Sequence, residues 1–433
     1  KLTKRDVGRD DRWEAAVAQS RFPFNVAESH GEGGGTCSLT AVGHGRLQIR
    51  FWGETAVGEN GNSGHHAFLT QLTEGWQPHA GVRGPVVVAV SGGGDSVALL
   101  RGLHQLLARE ARSSGQRLAS QRLASQRLAS QRLASQRLAP QRLVVAHARH
   151  DLREGHEGDP AAADAAFVRQ LAAELGLAHT ERFLRVRQEV VGGEGLEAAA
   201  RRLRYDFLRE VAESEGARLV VTAHTADDQV ETVLHRLFRG TGLAGLAGMT
   251  PVRELVEGIV LVRPMLAISA AAARDFLRAQ GQAWREDATN ADTRYARNLL
   301  RHDLLPRLAA GPYPAAGEAV ARLADQAREA HASLEAACDA LLNAYARREA
   351  GGTVVVQARP LAGCPQSLLT ELVAALWRQQ EWPRRHMTSR HFAAVATMLA
   401  QPAATASLDL PGGIRAWSEA GGQLRIGQRG LSP

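Results

Sequence analysis

Lysine is nearly missing from this chain. Of 52 Lys and Arg residues only Lys1 and Lys4 are lysines. That excludes a phosphate-loop lysine, a Schiff-base lysine or an adenylated enzyme lysine from everything after the first four residues. Cysteine is scarce as well: Cys37, Cys338 and Cys364 stand apart, with no Cys-x-x-Cys. This excludes a disulfide scaffold, a zinc ribbon or a cysteine-ligated cluster, and it suits a reducing cytoplasm. No apolar run approaches the ~20 residues that span a bilayer. Residues 1–20 are polar and charged, without the apolar stretch of a signal peptide.

What is present is a 433-residue chain, 44% hydrophobic, long enough for two or three domains. Its net charge is +7. Six of the arginines sit in a tandem Gln-Arg-Leu-Ala-Ser/Pro repeat over 116–142, and without them the charge is +1. Global charge is therefore weak evidence for nucleic-acid binding. A five-residue period advances about 500° around a helix, so the repeat has no fixed apolar face. It reads as a surface insertion, frayed or disordered, with an RNA-contacting arm as the alternative.

The most informative stretch is 86–96. Val86 to Val90 read as a buried parallel strand. They lead into Ser91-Gly92-Gly93-Gly94-Asp95-Ser96, and an apolar run from Val97 opens a helix. Strand, glycine turn and helix N-terminus form an anion site, because free N–H groups point at the bound oxygens. A glycine turn can also be purely structural. No lysine follows, so this is no Walker loop.

Strands also read at 143–146, near 178–184 and at 219–222, with helices at 96–112, 164–175, 196–214 and 226–238 between them. The alternation predicts an α/β fold with a doubly wound parallel sheet, whose ligands bind at strand carboxyl ends. Residues 1–65 are glycine-rich without periodicity and read as an appended, poorly ordered segment. The α/β domain takes 66–308. Residues 309–433 read as a helical and small α+β domain: a long helix over 316–348, a strand at 353–356, helices near 366–380 and 388–400, and short strands at 407–410 and 424–426.

A second motif occupies 222–242. His224 sits where a strand ends. Asp227 and Asp228 lie in the first turn of the next helix, where the dipole favours carboxylates. His224 and Asp228 are four apart and can share a pocket. Acidic groups beside a polyphosphate suggest Mg²⁺ ligation, with Asp95 and Asp228 as candidates. Thr225 and Asp227 are also good helix caps. In the C-terminal domain, Arg384 and Arg385 lie among Trp377, Trp382 and Phe392, a composition suited to RNA. Trp377 and Phe392 themselves read as core.

Ser-Gly-Gly-x-Asp-Ser behind a valine strand resembles the PP-loop ATP pyrophosphatases. Further blocks make the chain similar to the tRNA(Ile)-lysidine synthase family: His150-Asp151-Leu152-Arg153, Glu197 to Tyr205, and His224 to Gly242. Arg263-Pro264-Met265-Leu266, then Trp284, Asp287 and Asn290, then Arg297-Asn298-Leu299-Leu300-Arg301 complete them. The likeness is strong over about 66–308 and looser beyond. Thr225 replaces a second histidine of the family, and Asp151 a usual glycine.

The resemblance implies ATP and Mg²⁺ as co-substrate and cofactor. Its reaction adenylates the wobble cytidine of the CAU anticodon of tRNA(Ile); free L-lysine then displaces AMP to give lysidine. Ser91, Gly92, Gly93, Gly94, Asp95 and Ser96 would hold ATP. Asp95, His224 and Asp228 would be catalytic. Arg153, Arg201, Arg297, Asn298, Arg301, Arg384 and Arg385 would contact tRNA or AMP. For any one arginine the plainer alternative is a surface ion pair. A homodimer stays open. Rival readings are a PP-loop tRNA thiolase, an ammonia-using synthetase, and a non-catalytic tRNA-binding protein. Scattered cysteines count against the thiolase.

Excising residues 116–140 is expected to leave lysine incorporation into tRNA within about twofold. A large loss would make the repeat part of the RNA-binding surface.

Overall fold

The computed structural model describes residues 36–42, 46–52, 62–124, 141–151, 160–286, 296–349, 351–402, 405–419 and 421–428. The chain divides into two compact units, Lys1–Ser63 and Gly64–Pro433. The first contains a hairpin of β1 (Thr36–Val42) and β2 (Arg46–Trp52), paired antiparallel. The sequence reading assigned no element here. Yet Leu47, Ile49 and Phe51 alternate with Arg46, Gln48 and Arg50, the period of a strand, which the surrounding glycines obscured.

The second unit holds a six-stranded sheet in the order β5-β4-β3-β6-β8-β7. Its strands are β3 (Pro85–Ala89), β4 (Arg142–His150), β5 (Ala178–Leu184), β6 (Leu219–Val221), β7 (Val252–Val256) and β8 (Ile259–Val262). All neighbours pair in parallel except the edge hairpin β7/β8. The chain winds outward from β3 to one side, then returns to place β6 on its other side. The carboxyl ends of β3 and β6 therefore flank the point where the winding reverses.

Both faces of the sheet are covered, which explains the uninterrupted valines of β3. Val86 and Val88 face one core with α1 (Asn62–Trp76), α2 (Gly94–Ala124), α3 (Pro160–Glu174) and α7 (Ala270–Ala279). Val87 faces the other, against Ala199, Leu203 and Phe207 of α4 (Leu196–Glu215). Two helices complete this part: α5 (Ala226–Phe238), matching the expected bounds, and the short α6 (Leu243–Leu246). The expected helix at 96–112 instead begins at Gly94 and runs into the repeat as far as Ala124.

A helical run over 296–310, with a π turn at Leu300–Leu304, leads to α8 (Ala316–Tyr345). This helix ends three residues short of expectation, because Ala346–Arg348 forms β9. Its first part meets α5 around Val230, Leu234 and Leu300. Its last part gives Cys338 and Leu342 to the C-terminal core. That core lies between α9 (Gln366–Gln379), α10 (Ser389–Ala400) and an antiparallel sheet ordered β11-β12-β13-β10-β9. Here β10 is Val354–Gln357, β11 Ser407–Leu410, β12 Ile414–Glu419 and β13 Gln423–Gln428. Trp377 is fully buried, with Phe392 half-buried against it. No helix among the described residues is long and apolar enough to cross a membrane.

Helix α1 packs closely on the turn after β8: a Cβ on Gly75 would lie 2.2 Å from the Pro264 carbonyl oxygen. Gly75→Ala is expected to cost about 1–3 kcal/mol, read as a lowered unfolding midpoint. An unchanged midpoint would mean that this contact is looser than described.

Candidate active site

The loop after β3 is organised by one hydroxyl. Ser96 Oγ accepts the N–H groups of Ser91 and Gly92, each at 3.2 Å, and donates to the Gly93 carbonyl at 2.9 Å. Gly92 adopts φ +96°, a left-handed conformation that a side chain would strain. Val97 N–H already reaches back to Gly93 O at 3.0 Å. The N–H groups of Gly94, Asp95 and Ser96 therefore open α2 without an intrahelical acceptor. At Gly94 a Cβ would meet only ordinary contacts, 3.5 Å from Arg274 and Trp284. This fits its place as the variable position of the hexapeptide.

The loop is held from both sides. Arg285 N–H donates to Gly92 O at 2.9 Å, while its Nε donates to Asp164 Oδ1 at 2.9 Å. On the other side, His147 Nδ1 donates to Val90 O at 2.7 Å. His147 is 3% exposed, and burial lowers its pKa. Sequence reading missed this histidine, which lies three residues before the quoted His150.

At the end of β6, Thr222 Oγ1 and His224 Nδ1 are 3.0 Å apart. Burial pushes the His224 pKa down to about 4; Asp228 opposes this, and the guanidiniums of Arg263, Arg201 and Arg204 add to it. The imidazole is neutral at physiological pH. Thr225 is fully buried and caps α5. Its N–H and hydroxyl donate to Asp228 Oδ2 at 2.9 and 3.1 Å. The position that departs from the family pattern thus serves the cap, and Asp228 shares in it. Asp227 caps a different helix, accepting Ala270 N–H at 2.7 Å.

Asp228 Oδ1 pairs with Arg301 Nη2 at 2.9 Å. Arg301 Nε also donates to Glu231, which is 3% exposed. The π turn at Leu300–Leu304 carries Arg301 to this position, a helical irregularity common at functional sites. Glu231 was missed because its partner lies 70 residues away. Burial raises the Glu231 pKa, and Arg301 only partly offsets it.

Asp95 completes the constellation. Its pKa is raised to about 6, first by burial, then by Asp228, against the pull of Arg274 and Arg301. Its Oδ1 is buried with no hydrogen-bond partner among the described residues. A carboxylate oxygen without a donor, beside a second carboxylate, has the chemistry of a hard-cation ligand. Asp228 has both oxygens engaged already. No group of three or more acidic, His or Cys side chains among the described residues makes a metal cage. The fit is therefore to a cation shared with phosphates, for which Mg²⁺ typically uses one or two carboxylates.

Beside His224 lies a basic surface. Tyr205 stands between the guanidiniums of Arg201 and Arg253, at 5.1 and 4.6 Å from its ring centroid. Arg263 is buried and donates to Thr250 O at 2.7 Å. Arg297 is exposed and Asn298 half-buried on the run that carries Arg301. Arg384 and Arg385 are exposed on the C-terminal sheet-and-helix domain, with Arg384 6.0 Å from the Phe392 ring centroid. Arg153, Asp287 and Asn290 lie outside the described residues.

The profile of the PP-loop domain matches residues 66–308. A tRNA(Ile)-lysidine synthase of Rhodopirellula baltica is 34% identical over 325 residues, covering 71% of this chain and 77% of that protein. The chain belongs to the tRNA(Ile)-lysidine synthase family. The family's member from Methylobacterium nodulans is 37% identical over 68% of this chain and 74% of its own. That from Thermus thermophilus is 43% identical over 60% of this chain, but the match spans only 42% of the relative.

The Asp95 pKa carries a sign. Above an ordinary value near 3.8 and up to about 6, the unfolded chain ionises first, so native stability falls as pH rises through that window. Asp95→Asn is expected to stabilise the fold at pH 8 by on the order of 1–3 kcal/mol. Urea unfolding should show the gain shrinking as pH falls toward 4. A gain independent of pH would contradict the assignment.

Proposed function

We propose that this chain is an ATP-dependent carbon–nitrogen ligase that attaches free L-lysine to C2 of the wobble cytidine of tRNA(Ile) with a CAU anticodon. The carrying observation is the meeting of the 91–96 loop with Asp95, His224 and the Asp228–Arg301–Glu231 network where the sheet winding reverses.

In this reading the cytidine O2 attacks the α-phosphorus of ATP, and diphosphate leaves. The lysine ε-amine then forms a bond to C2, and the C2–O bond breaks to release AMP. The N–H groups of Gly94, Asp95 and Ser96 hold the diphosphate. Asp95 would share Mg²⁺ with the phosphates, which supplies charge neutralisation for the leaving group. Neutral His224 offers a hydrogen-bond acceptor to an unprotonated amine, and Asp228 keeps it oriented through the α5 cap. Arg301, anchored by two carboxylates, presents a fixed guanidinium to the adenylated base or its phosphate. Arg201, Arg297, Arg384 and Arg385 are assigned to tRNA phosphates. The reading places the protein in the cytoplasm with tRNA.

The lysine shortage supports this chemistry. The described site is cationic through guanidiniums alone, which stay protonated and do not compete with the substrate amine. A thiolase is less well supported: Cys338 and Cys364 belong to the C-terminal core, away from the loop.

Purified protein with ATP, Mg²⁺, labelled lysine and unmodified CAU tRNA is expected to release diphosphate and label the RNA. Sulfur transfer without lysine transfer would overturn the reading. Asp95→Ala should lose at least about 100-fold in turnover while still shifting tRNA in a gel. Loss of RNA binding as well would make Asp95 structural.

A further inference from the structure

Helix α5 leaves the site carrying more than its first two turns use. Asp228 and Glu231 hold Arg301, and Val230 and Leu234 enter the small core with Leu300. Beyond them the helix ends on two large apolar side chains left exposed among the described residues: Leu237 is 46% exposed and Phe238 66%. Gly240, at φ +76°, terminates the helix with its N–H on Leu237 O at 3.0 Å, so Phe238 stands at the rim. Seven residues separate Phe238 from Glu231, close to two full turns, which puts them on one side of the helix. Phe238 is about 15 Å along the axis from Asp228, the reach of a few nucleotides of unstacked strand.

The surroundings are cationic. Arg236 is fixed by hydrogen bonds from Nη1 to Gly245 O at 3.1 Å and Gly248 O at 2.8 Å. Arg201 and Arg297 are near enough to repel its charge. Arg239 and Arg297 are exposed and form no salt bridge among the described residues. A second copy docked symmetrically on this patch would set the same arginines against each other. A polyanion with exposed aromatic faces is complementary instead.

We infer that Phe238, with the exposed Arg239 next to it in the chain and Arg236 and Arg297 on the same helix-end region, is a stacking platform for an unpaired base of the RNA loop, a few nucleotides from the base that enters the site. Arginines track the backbone, and the ring takes a neighbouring base on its face, as in single-strand recognition generally. This rests on the tRNA reading above and extends it to the loop nucleotides flanking the target.

The test uses the full chain and anticodon stem-loops carrying 2-aminopurine at each of the loop positions one to three nucleotides from the target cytidine. Wild type is compared with Phe238→Ala, Phe238→Leu and Phe238→Trp. Stacking on wild type is expected to quench the fluorophore. Phe238→Ala should abolish the added quench and raise the KM for RNA about tenfold, with kcat and the KM values for ATP and lysine within twofold. Phe238→Trp should restore both and Phe238→Leu neither. Equal rescue by Leu, or an unchanged KM and quench in Phe238→Ala, overturns the inference. So does a change in sedimentation that tracks the substitutions, which would make the patch a contact between copies. Should wild type incorporate no lysine, the proposed function fails; the quench comparison still judges the platform independently.

Discussion

Arg301 is the contact on which the arrangement of the site depends. Its guanidinium bridges Asp228 and Glu231 on α5, while its backbone belongs to the π turn of the run that leads into α8. One side chain thus ties the carboxylates of the α/β domain to the segment that carries the C-terminal core. The pair is half-buried, with Glu231 almost wholly so. Removing one member of such a group leaves an uncompensated buried charge, which costs more than the pair itself contributes. Glu231 is best understood as the group that fixes where Arg301 points, and Asp228 as the group that this fixed guanidinium holds.

The same economy of side chains recurs at the helix N-termini. Thr225 and Asp228 cap α5 reciprocally, Asp227 reaches over to cap α7, and Ser96 gathers the N–H groups that precede α2. Each polar side chain sets backbone geometry first, and the functional groups inherit their positions from it. Asp95 departs from this pattern. It lies in the first turn of α2, yet one of its oxygens is buried without a partner. The neighbouring Asp227, Asp228 and Glu231 carboxylates are each capped or paired, so this oxygen stands apart from theirs.

Much of this was readable beforehand because it is local. Four valines and Ala89 before a glycine turn specify a buried strand and a phosphate loop. The bounds of α5 follow from the Thr225 cap and a run of apolar positions. What escaped depends on partners far apart in the chain. Glu231 stood in plain view inside a quoted block, but its role needs Arg301. His147 matters only because parallel pairing of β3 and β4 brings it under Val90. The edge hairpin β7/β8, α7 and β12 were missed although Ile259–Val262 is a plain apolar run and Ser269 an ordinary cap. At 1–65, glycine content drowned out the alternation of Arg46 to Trp52. Local composition misleads where it is averaged over a segment longer than the element it contains.

The charge layout of the site does not serve stability alone. Asp95, Asp228 and Glu231 face the Arg301 guanidinium, which pairs with the latter two, with Arg274 nearby, and burial and mutual repulsion raise the pKa of Asp95 and of Glu231. A few residues away, Arg201, Arg204 and Arg263 crowd together and help to keep His224 neutral. Like charges gathered on each side cost the free protein folding energy, and they persist because surrounding packing holds them. On the function proposed above, a cation–polyphosphate complex would answer the acidic side and an RNA backbone the basic side. Each would relieve repulsion that the folded chain carries alone, so binding and stability are coupled through the same residues.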